Sequence, residues 1–568
     1  MTSKNILGVD GGGQQRSFDD LRAFYRIGQE VTIATLPVGT SRVVARRATG
    51  EVVGAELGEG ARFAELGSGT YAVEALDAAD DLLAEELTTV GVHAGERPVH
   101  GFATSFEDQD VPGVLSWHRV LRSTVVQVYD WMASYTEPLG PESGWKDPSN
   151  RPVSFKALRA LATGFQELGA VAHAYAPVYA VGNAFAAEHP ELLMYRGDGE
   201  AIRFLDQIVL ANPGNADWQR HFVAAYGAAA EAIGFDGFHI DTYGYPRVAL
   251  DVDGNTIDMR TAYESFLRFV RAAWSSSLIS FNQVNGVPSA VRLPDGPGFR
   301  YCEVWPPNDN WRHFEGLLDR SSGRAGLLAP STSRDALVRG SVACYPPVWG
   351  TDSASAPVQG AAREASLRTV VSTEAIATCL GASALLYGDH IAALCDPYYP
   401  KHACLREDEA GTVLAWRRFA LRCRDLFLEG EDTSWYEIDD ENGAVAAEAA
   451  TPVRPEPVGR ALFARVVHAE RRVAVGVVDL TGSQNGRWSE PTSRGSVRSV
   501  TIRVLLDHPD KWRAEAAVLG AGGDRFAPLP VTEVPHRRGR AVEVRLPLVA
   551  GWSVLRLETR ERDRVRRS

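Results

Sequence analysis

Two acidic residues each stand at the end of a short apolar stretch, where a carboxylate is costly to bury without a partner. Asp241 ends the segment GFHID, and Glu303 ends the segment YCE two predicted strand–helix units later. Two carboxylates can flank a glycosidic bond, and their separation is about 5–5.5 Å in enzymes that retain the anomeric configuration and about 6.5–9.5 Å in those that invert it. The sequence leaves this separation open, and a purely structural aspartate at the strand end remains an alternative.

Aromatic, amide and acidic residues follow the ends of the other predicted strands. Sugar hydroxyl groups hydrogen-bond to carboxylates and amides, and the apolar faces of sugar rings pack on Trp and Tyr. These residue types therefore predict a carbohydrate site, with structural packing or capping as the alternative for each residue. The predicted substrate-binding residues are Tyr129, Asp130, Trp131, Asn282, Asn285, Trp305, Asp389 and His390.

The elements that carry these residues alternate between apolar strand-like runs and longer helical runs from residue 116 to residue 455. Eight strands with helical spacers favour a catalytic (β/α)₈ barrel, whose active site lies at the carboxyl ends of the strands. The predicted strands are, in order, VVQVYDW, AVAHAYAPV, IRFLDQIVL, GFHIDTYG, LISFNQVNG, RYCEVWP, SVACYPP and SALLYGD.

Shorter strands separated by glycine-rich turns lie on both sides of this region. They predict an N-terminal immunoglobulin-like β-sandwich over residues 21–115 and a C-terminal β-sandwich over residues 456–560. Residues 1–20 are predicted to be a disordered leader, and residues 561–568 a charged tail. The predicted fold class is a multidomain α/β protein with a central TIM barrel between two β-sandwich domains.

The composition is that of a soluble globular protein and restricts the partners. The chain has 568 residues, of which 45% are hydrophobic, and its formal net charge is −13. An acidic chain of this kind is not expected to bind nucleic acid or an anionic membrane surface. It also contains no apolar run of about 18 residues that would predict a membrane-spanning helix.

The remaining expectations concern cofactors and location. The six cysteines form no CxxC pair, so we expect neither a metal site nor a cofactor. The first residues lack the apolar segment of a secretory signal, which predicts a cytoplasmic protein, or an extracellular one if the native chain begins elsewhere. The sequence does not indicate an oligomeric state.

Several motifs together resemble glycoside hydrolase family 66, the dextranases and cycloisomaltooligosaccharide glucanotransferases. They lie in family order between about residues 22 and 402. They include a first-strand motif, an Asn-Pro stretch, the motifs that carry the family's nucleophile and acid/base residues, and an eighth-strand region. The motifs are RAFYRIGQEVTI, VVQVYDWMASYTEPL, VLANPGNADWQ, GFDGFHIDTYG, FNQVNG, YCEVWP and YGDHI with DPYYP.

The resemblance implies cleavage of α-1,6-linked glucan or isomaltooligosaccharides with retention of configuration. It assigns the nucleophile to Asp241 and the general acid and base to Glu303, whose pKa we expect to be raised. The barrel region has no room for the large insertion of the cyclising members, which favours hydrolysis over cyclisation. Two further alternatives are an exo-acting α-glycosidase of a related barrel family and a non-catalytic carbohydrate-binding protein.

The nucleophile motif departs from the family pattern in the three residues before Asp241. The family more often has Trp-Gln-Gly there, whereas this chain has Phe238, His239 and Ile240. We expect these residues to reshape the subsite next to the scissile bond, which leaves the linkage preference open.

Overall fold

The computed structural model describes most of the chain, with gaps near both ends and in the second half. The described residues are 18, 20–204, 206, 208–288, 291–322, 341–344, 360–395, 402–434, 438, 444–506, 509–520 and 525–559. The predicted charged tail lies outside them, as does all of the predicted leader except Phe18 and Asp20, together with the DPYYP motif. The α-helices are Val111–Val120, Phe155–Glu167, Asn183–Glu188, Ala216–Ile233, Met259–Ala273, His313–Ser322, Ala361–Cys379, Glu407–Cys423 and Asp425–Leu428. Within the described part of the chain, no helix combines the length and apolar character needed to span a membrane.

The central sheet contains eight strands that pair in parallel in chain order. The eighth strand resumes as Tyr387–Gly388, where Gly388 pairs in parallel with Phe102 of the first strand. The sheet is therefore curled, and the antiparallel strands Ala392–Leu394 and His402–Cys404 extend it. The eight strands are, from first to eighth, His100–Ala103, Val125–Val128, Val171–Pro177, Gly237–Asp241, Leu278–Asn282, Gly298–Glu303, Ser341–Ala343 and Ser383–Leu385.

Local sequence signals fix where the fourth strand begins. The preceding helix starts after Asn215, whose side chain accepts hydrogen bonds from the backbone N–H groups of Asp217 and Trp218. It ends at Gly234, which has a φ of 98°, a left-handed conformation that glycine adopts without steric cost. The strand Gly237–Asp241 follows at once and is buried throughout. This register places Asp241 at its carboxyl end.

The strand assignment from sequence is wrong at two places. The first strand of the sheet is His100–Ala103, ahead of the predicted domain boundary at residue 115, so VVQV forms the second strand and AHAYAP part of the third. The run IRFLDQIVL does not join the sheet, because Ile208–Leu210 pairs antiparallel with Ala180–Val181 and Arg203–Phe204 in a loop. A short apolar run indicates a strand but not the sheet that it joins. The two errors compensate, so the count of eight is unchanged.

The region before the central sheet forms two antiparallel sheets with one parallel edge pair. A five-stranded sheet and a three-stranded sheet share a core that includes Val31, Val43 and Val73. The strands, in sheet order, are Phe24–Arg26, Leu82–Gly91, Gly69–Leu76, Arg42–Arg47 and Val52–Gly54, and then Val31–Ile33, Ala61–Phe63 and Glu56–Leu57.

The region after the central sheet also has two sheets, and side chains of both, such as Val475 and Val544, lie in one core. The larger sheet contains Glu431–Asp432, Val453–Arg454, Leu462–Ala469, Arg472–Asp479, Trp552–Thr559, Trp512–Val518 and Ala527–Pro528. The smaller sheet contains Val445–Glu448, Ser499–Leu505, Gly539–Pro547 and Thr532–His536. Two short hairpins, Trp145–Lys146 with Pro152–Val153 and Ala249–Leu250 with Thr256–Ile257, lie in loops of the central region.

A buried ion cluster joins the N-terminal sheets to the last helices of the central region. Asp425 accepts hydrogen bonds from Arg97 Nε at 3.0 Å, Arg47 Nη2 at 2.9 Å and the backbone N–H of Thr70 at 2.7 Å. Burial alone raises the pKa of this carboxyl, but the charges of Arg97 and Arg47 outweigh burial and lower it. The carboxylate is therefore a charged anchor that depends on its arginine partners.

Candidate active site

Three polar side chains meet at the carboxyl ends of the fourth, fifth and sixth strands. Asn282 lies between the two predicted catalytic carboxylates and donates from Nδ2 to Asp241 Oδ1 at 2.7 Å and to Glu303 Oε2 at 2.9 Å. Its Oδ1 accepts from the backbone N–H of Glu303 at 3.2 Å, which fixes the orientation of the amide. The pair predicted from sequence is thus brought together, and Asn282 is the bridge between its members.

The bridging amide also limits the distance between the carboxylates. The two hydrogens of an amide nitrogen diverge by about 120°, so the two accepting oxygens lie roughly 5 Å apart. This spacing is close to the separation of about 5–5.5 Å in retaining glycosidases. The geometry can therefore hold a nucleophile and a proton donor on one glycosidic bond.

Asp241 is almost entirely buried, and its environment opposes ionisation. Burial first, and then the charge of Glu303, raise the pKa of Asp241 to about 8. Hydrogen bonds from Asn282 and from the hydroxyl of Tyr175, which donates to Oδ2 at 2.7 Å, act in the opposite direction. The raised pKa expected for Glu303 stays a prediction, and the structure shows a raised pKa for Asp241, which is the more buried carboxyl. The proximity of Glu303 therefore opposes ionisation of Asp241.

Tyr175 is a residue whose role the sequence did not indicate. It lies on the third strand, is almost fully buried, and contacts the ring of Tyr129 at a centroid distance of 4.3 Å. Tyr129 itself is half-buried, and its contact with substrate stays a prediction. The alternation in AHAYAP places His173 and Tyr175 on one face of the strand, and this was the available signal.

Asn285 and Trp305 organise the segment after the sixth strand. The backbone N–H of Asn285, whose φ is 52°, donates to the carbonyl of Glu303 at 2.8 Å. Its side-chain Oδ1 accepts from the backbone N–H of Trp305 at 2.9 Å. Both side chains are half-buried near Glu303, so they remain candidates for substrate contact.

Asp130 and Trp131 follow the second strand, and both side chains are buried. Burial raises the pKa of Asp130 to about 7, against the opposing charge of Arg151, and its φ is 51°. Trp131 has no exposed surface, and its Nε1 donates to the carbonyl of Tyr175 at 3.1 Å. Trp131 therefore supports the third strand from the core, and its ring has no free face on which a sugar could stack.

Asp389 and His390 do not join the carboxylate pair. The fully buried carboxylate of Asp389 accepts four hydrogen bonds, from the backbone N–H and the hydroxyl of both Thr104 and Ser105. This network ties the end of the eighth strand to the loop after the first. His390 is exposed and lies beside Gly113, which is in the helix Val111–Val120 after the first strand. The structure thus favours a structural role for Asp389.

The residues that distinguish the nucleophile motif divide between the two faces of the fourth strand. Phe238 stacks on Trp274 at a centroid distance of 3.8 Å, and Ile240 is fully buried in the core formed with the surrounding helices. Neither can line a subsite, which corrects the expectation from sequence. His239 lies on the same face as Asp241, with Nε2 at 4.0 Å from Oδ1.

The curled parallel sheet and the carboxylate pair at its carboxyl edge define a site of the glycosidase class. The chain belongs to glycosyl hydrolase family 66, because the model of that family matches residues 67–555. The resemblance found in the motifs is thereby confirmed. Within the described residues, no group of three or more His, Cys, Asp and Glu side chains is arranged to hold a metal ion.

Similar proteins include enzymes of two kinds. A cycloisomaltooligosaccharide glucanotransferase of Niallia circulans is 24% identical over 227 residues, which are 36% of this chain and 23% of that enzyme. A dextranase of Streptococcus salivarius is 26% identical over 212 residues, which are 33% of this chain and 26% of the dextranase. The matched part therefore spans about a quarter of the length of these curated relatives.

A solved structure supports the fold over nearly the whole chain. A cycloisomaltooligosaccharide glucanotransferase of Paenibacillus sp., complexed with cycloisomaltoheptaose, superposes with a TM-score of 0.73 at 15% identity. The superposition covers 94% of this chain and 98% of that chain. The similarity shows a shared multidomain α/β architecture.

Proposed function

We propose that the chain is a retaining glycoside hydrolase that cleaves α-1,6-glucosidic linkages in dextran or isomaltooligosaccharides. The observation that carries the proposal is the Asn282 amide, which holds Asp241 and Glu303 at a spacing of roughly 5 Å. The substrate class follows from family 66 and from the names of the relatives, a dextranase and glucanotransferases of cycloisomaltooligosaccharides.

In the proposed reaction, Asp241 attacks the anomeric carbon and forms a covalent glycosyl-enzyme intermediate. Glu303 protonates the leaving oxygen and later removes a proton from the incoming water. The half-buried Glu303 suits exchange of protons with solvent, whereas the buried Asp241 suits direct attack. Before attack Asp241 must be ionised and Glu303 protonated. The hydrogen bond from Tyr175 favours this arrangement, because it is donated to Asp241 and stabilises its ionised form.

We also propose that the curled sheet is a (β/α)₈ barrel between two β-sandwich domains. The eight parallel strands and the pairing of Gly388 with Phe102 support closure of the barrel. The shared cores of the flanking sheets support the sandwiches. The N-terminal boundary then falls before His100.

Cyclising transfer is the second candidate function. It is favoured by the similarity to glucanotransferases in both sequence and structure. The same carboxylates serve both outcomes, because the intermediate is released either by water or by a hydroxyl of the same glucan chain. The products distinguish them: linear oligosaccharides from hydrolysis and cyclic ones from transfer.

The experiment measures products from dextran and from short α-linked glucosides with the wild type, Asp241→Asn and Glu303→Gln. We expect a loss of about 10³-fold or more in kcat for both variants, because each removes a group that takes part in bond cleavage. Asp236→Asn is the matched control, since Asp236 lies in the same stretch just before the start of the strand and hydrogen-bonds to Gln166.

Near-normal turnover in Asp241→Asn would overturn the assignment of the nucleophile. A wild type that cleaves other glucosides but no α-1,6 substrate would overturn the substrate class and keep the chemistry. Release of terminal monosaccharide alone would support an exo-acting α-glycosidase. Binding of isomaltooligosaccharide without turnover at any pH would indicate a non-catalytic binding protein.

A further inference from the structure

His239 is a buried imidazole directly beneath the carboxylate of Asp241. The two residues are separated by one position on the fourth strand, so their side chains point to the same face. His239 is 1% exposed, and its Nε2 lies 4.0 Å from Asp241 Oδ1. This distance is too long for a hydrogen bond in the free enzyme, but such contacts often tighten when substrate binds.

The hydroxyl of Ser280 determines which ring nitrogen of His239 carries the proton. Ser280 lies beside His239 in register on the fifth strand, and its Oγ is 2.7 Å from His239 Nδ1. Ser280 is fully buried, and among the described residues its hydroxyl has no other hydrogen-bond partner. If Nδ1 carried the proton, the hydroxyl hydrogen would remain buried without an acceptor, and the lone pair of Nε2 would face the Asp241 carboxylate. In the other tautomer the hydroxyl is paired, and a positively polarised N–H group faces that carboxylate. The hydroxyl therefore donates to Nδ1, and Nε2 carries the hydrogen that faces Asp241.

The imidazole is neutral, and its orientation is fixed. Burial first, and then the neighbouring His173 and His100, lower the pKa of His239 well below its ordinary value. The ring of Tyr175 stacks on it at a centroid distance of 6.1 Å, and the ring of Tyr301 meets it edge-on at 4.6 Å. The group that faces Asp241 is thus an oriented N–H dipole and not a cation.

We propose that His239 is a positioning residue for Asp241, with its Nε2–H group oriented by Ser280 toward the carboxylate so that it stabilises the ionised form. The catalytic consequence rests on the proposed function, in which ionised Asp241 is the nucleophile. A neutral donor serves this role well, because a histidine cation would form an ion pair with the carboxylate and weaken its attack. The other titratable groups facing the two side chains are Glu303, Tyr175, Tyr243, Tyr301, His100 and His173.

The first test compares His239→Phe, His239→Gln and Ser280→Ala in steady-state kinetics across pH. Phenylalanine keeps a ring but removes the donor, and we expect kcat to fall by about 10- to 100-fold while KM changes by less than about threefold. The acid limb of kcat/KM should move up by about one pH unit, because ionised Asp241 loses a stabilising contact. Glutamine can accept from Ser280 and donate to Asp241, so it should restore activity to within about threefold of the wild type. Ser280→Ala should shift the limb in the same direction by a smaller amount.

His173→Phe is the matched control, since it removes a buried imidazole from the neighbouring strand that does not contact Asp241. This variant should leave the position of the acid limb unchanged. If His239→Phe and His239→Gln lose activity equally and the limb stays in place, the ring only fills space and the proposal is wrong.

A second readout does not depend on turnover and separates this proposal from the proposed function. The change in unfolding midpoint caused by Asp241→Asn is measured at pH 5 and pH 8. It is measured in three backgrounds, which are the wild-type His239, His239→Gln and His239→Phe, and an increase in the midpoint is called the gain. If the N–H group stabilises ionised Asp241, the gain at pH 8 should be larger in the phenylalanine background than in the histidine background. Equal gains would overturn the proposal even in an active enzyme, whereas a larger gain would support it even if no α-1,6-glucan were cleaved.

Discussion

Replacement of Asp241 by asparagine should stabilise the fold, and the gain should grow with pH. Burial and the charge of Glu303 raise the pKa of Asp241 from 3.8 to about 8. The folded state therefore holds this proton more tightly than the unfolded state does, and the stability that it provides is fully present below about pH 4 and is lost as pH rises to about 8. Asparagine removes the ionisation and keeps nearly the same shape.

The expected size follows from the shift. One pKa unit corresponds to about 1.36 kcal/mol, so ionisation of Asp241 costs the fold at most roughly 5 kcal/mol at pH 8 and less than about 1 kcal/mol at pH 4. The asparagine can still accept the hydrogen bond from Asn282 at Oδ1, and the Tyr175 hydroxyl can turn to accept from the new amide. We therefore expect a gain of a few kcal/mol at pH 8.

The assay is the unfolding midpoint in heat and in urea, measured at pH 5, 6.5 and 8 for the wild type and Asp241→Asn. Asp389→Asn is the control with the opposite sign, because its carboxylate accepts four hydrogen bonds that an amide cannot all accept. It should destabilise the protein by about 2–4 kcal/mol. Equal midpoints for the wild type and Asp241→Asn at pH 8 would refute the view that the site stores an unfavourable charge.

Two further predictions follow from the hydrogen-bond networks. Asn282→Ala should lower kcat by about 10²-fold or more with a smaller change in KM, because it removes the bridge that fixes both carboxylates. Steady-state kinetics of Asn285→Ala, measured for comparison, test whether the effect is specific to the bridge. Asp425→Asn should destabilise the protein by about 3–5 kcal/mol near neutral pH, because Arg97 and Arg47 lose a buried charged partner. Since the pKa of Asp425 is lowered, this deficit should shrink as pH falls below about 4, which urea unfolding at pH 7 and pH 3 would reveal.

The proximity of the two carboxylates could be predicted from sequence because parallel strands bring their carboxyl ends to one edge of the sheet. Asp241 and Glu303 each end a recognisable strand, so their proximity required only the fold class. The run IRFLDQIVL was misplaced because its apolar pattern says nothing about its partner strand. The sequence pattern also does not reveal that His100–Ala103 belongs to the central sheet and not to the N-terminal sheets that precede it.

The roles of individual side chains could not be predicted from the strand patterns, because those patterns do not give the direction of side chains beyond a strand or their hydrogen-bond partners in distant loops. Trp131 follows its strand by three residues, where alternation has ended, and it turns into the core instead of toward the site. Asp389 resembles a substrate-binding aspartate by position, but the four donors of the loop after the first strand can be seen only in three dimensions. Tyr175 was hidden for the converse reason, since a tyrosine in a buried strand is most often part of the core.

The three residues before Asp241 that differ from the family pattern lie on two different faces of the fourth strand. Phe238 and Ile240 pack against helices, so changes there alter the fit between sheet and helix and cannot select a linkage directly. Of the three residues, His239 lies on the same face of the strand as Asp241, with Nε2 at 4.0 Å from Asp241 Oδ1. In the mechanism proposed for His239, the motif therefore acts through the charge state of Asp241.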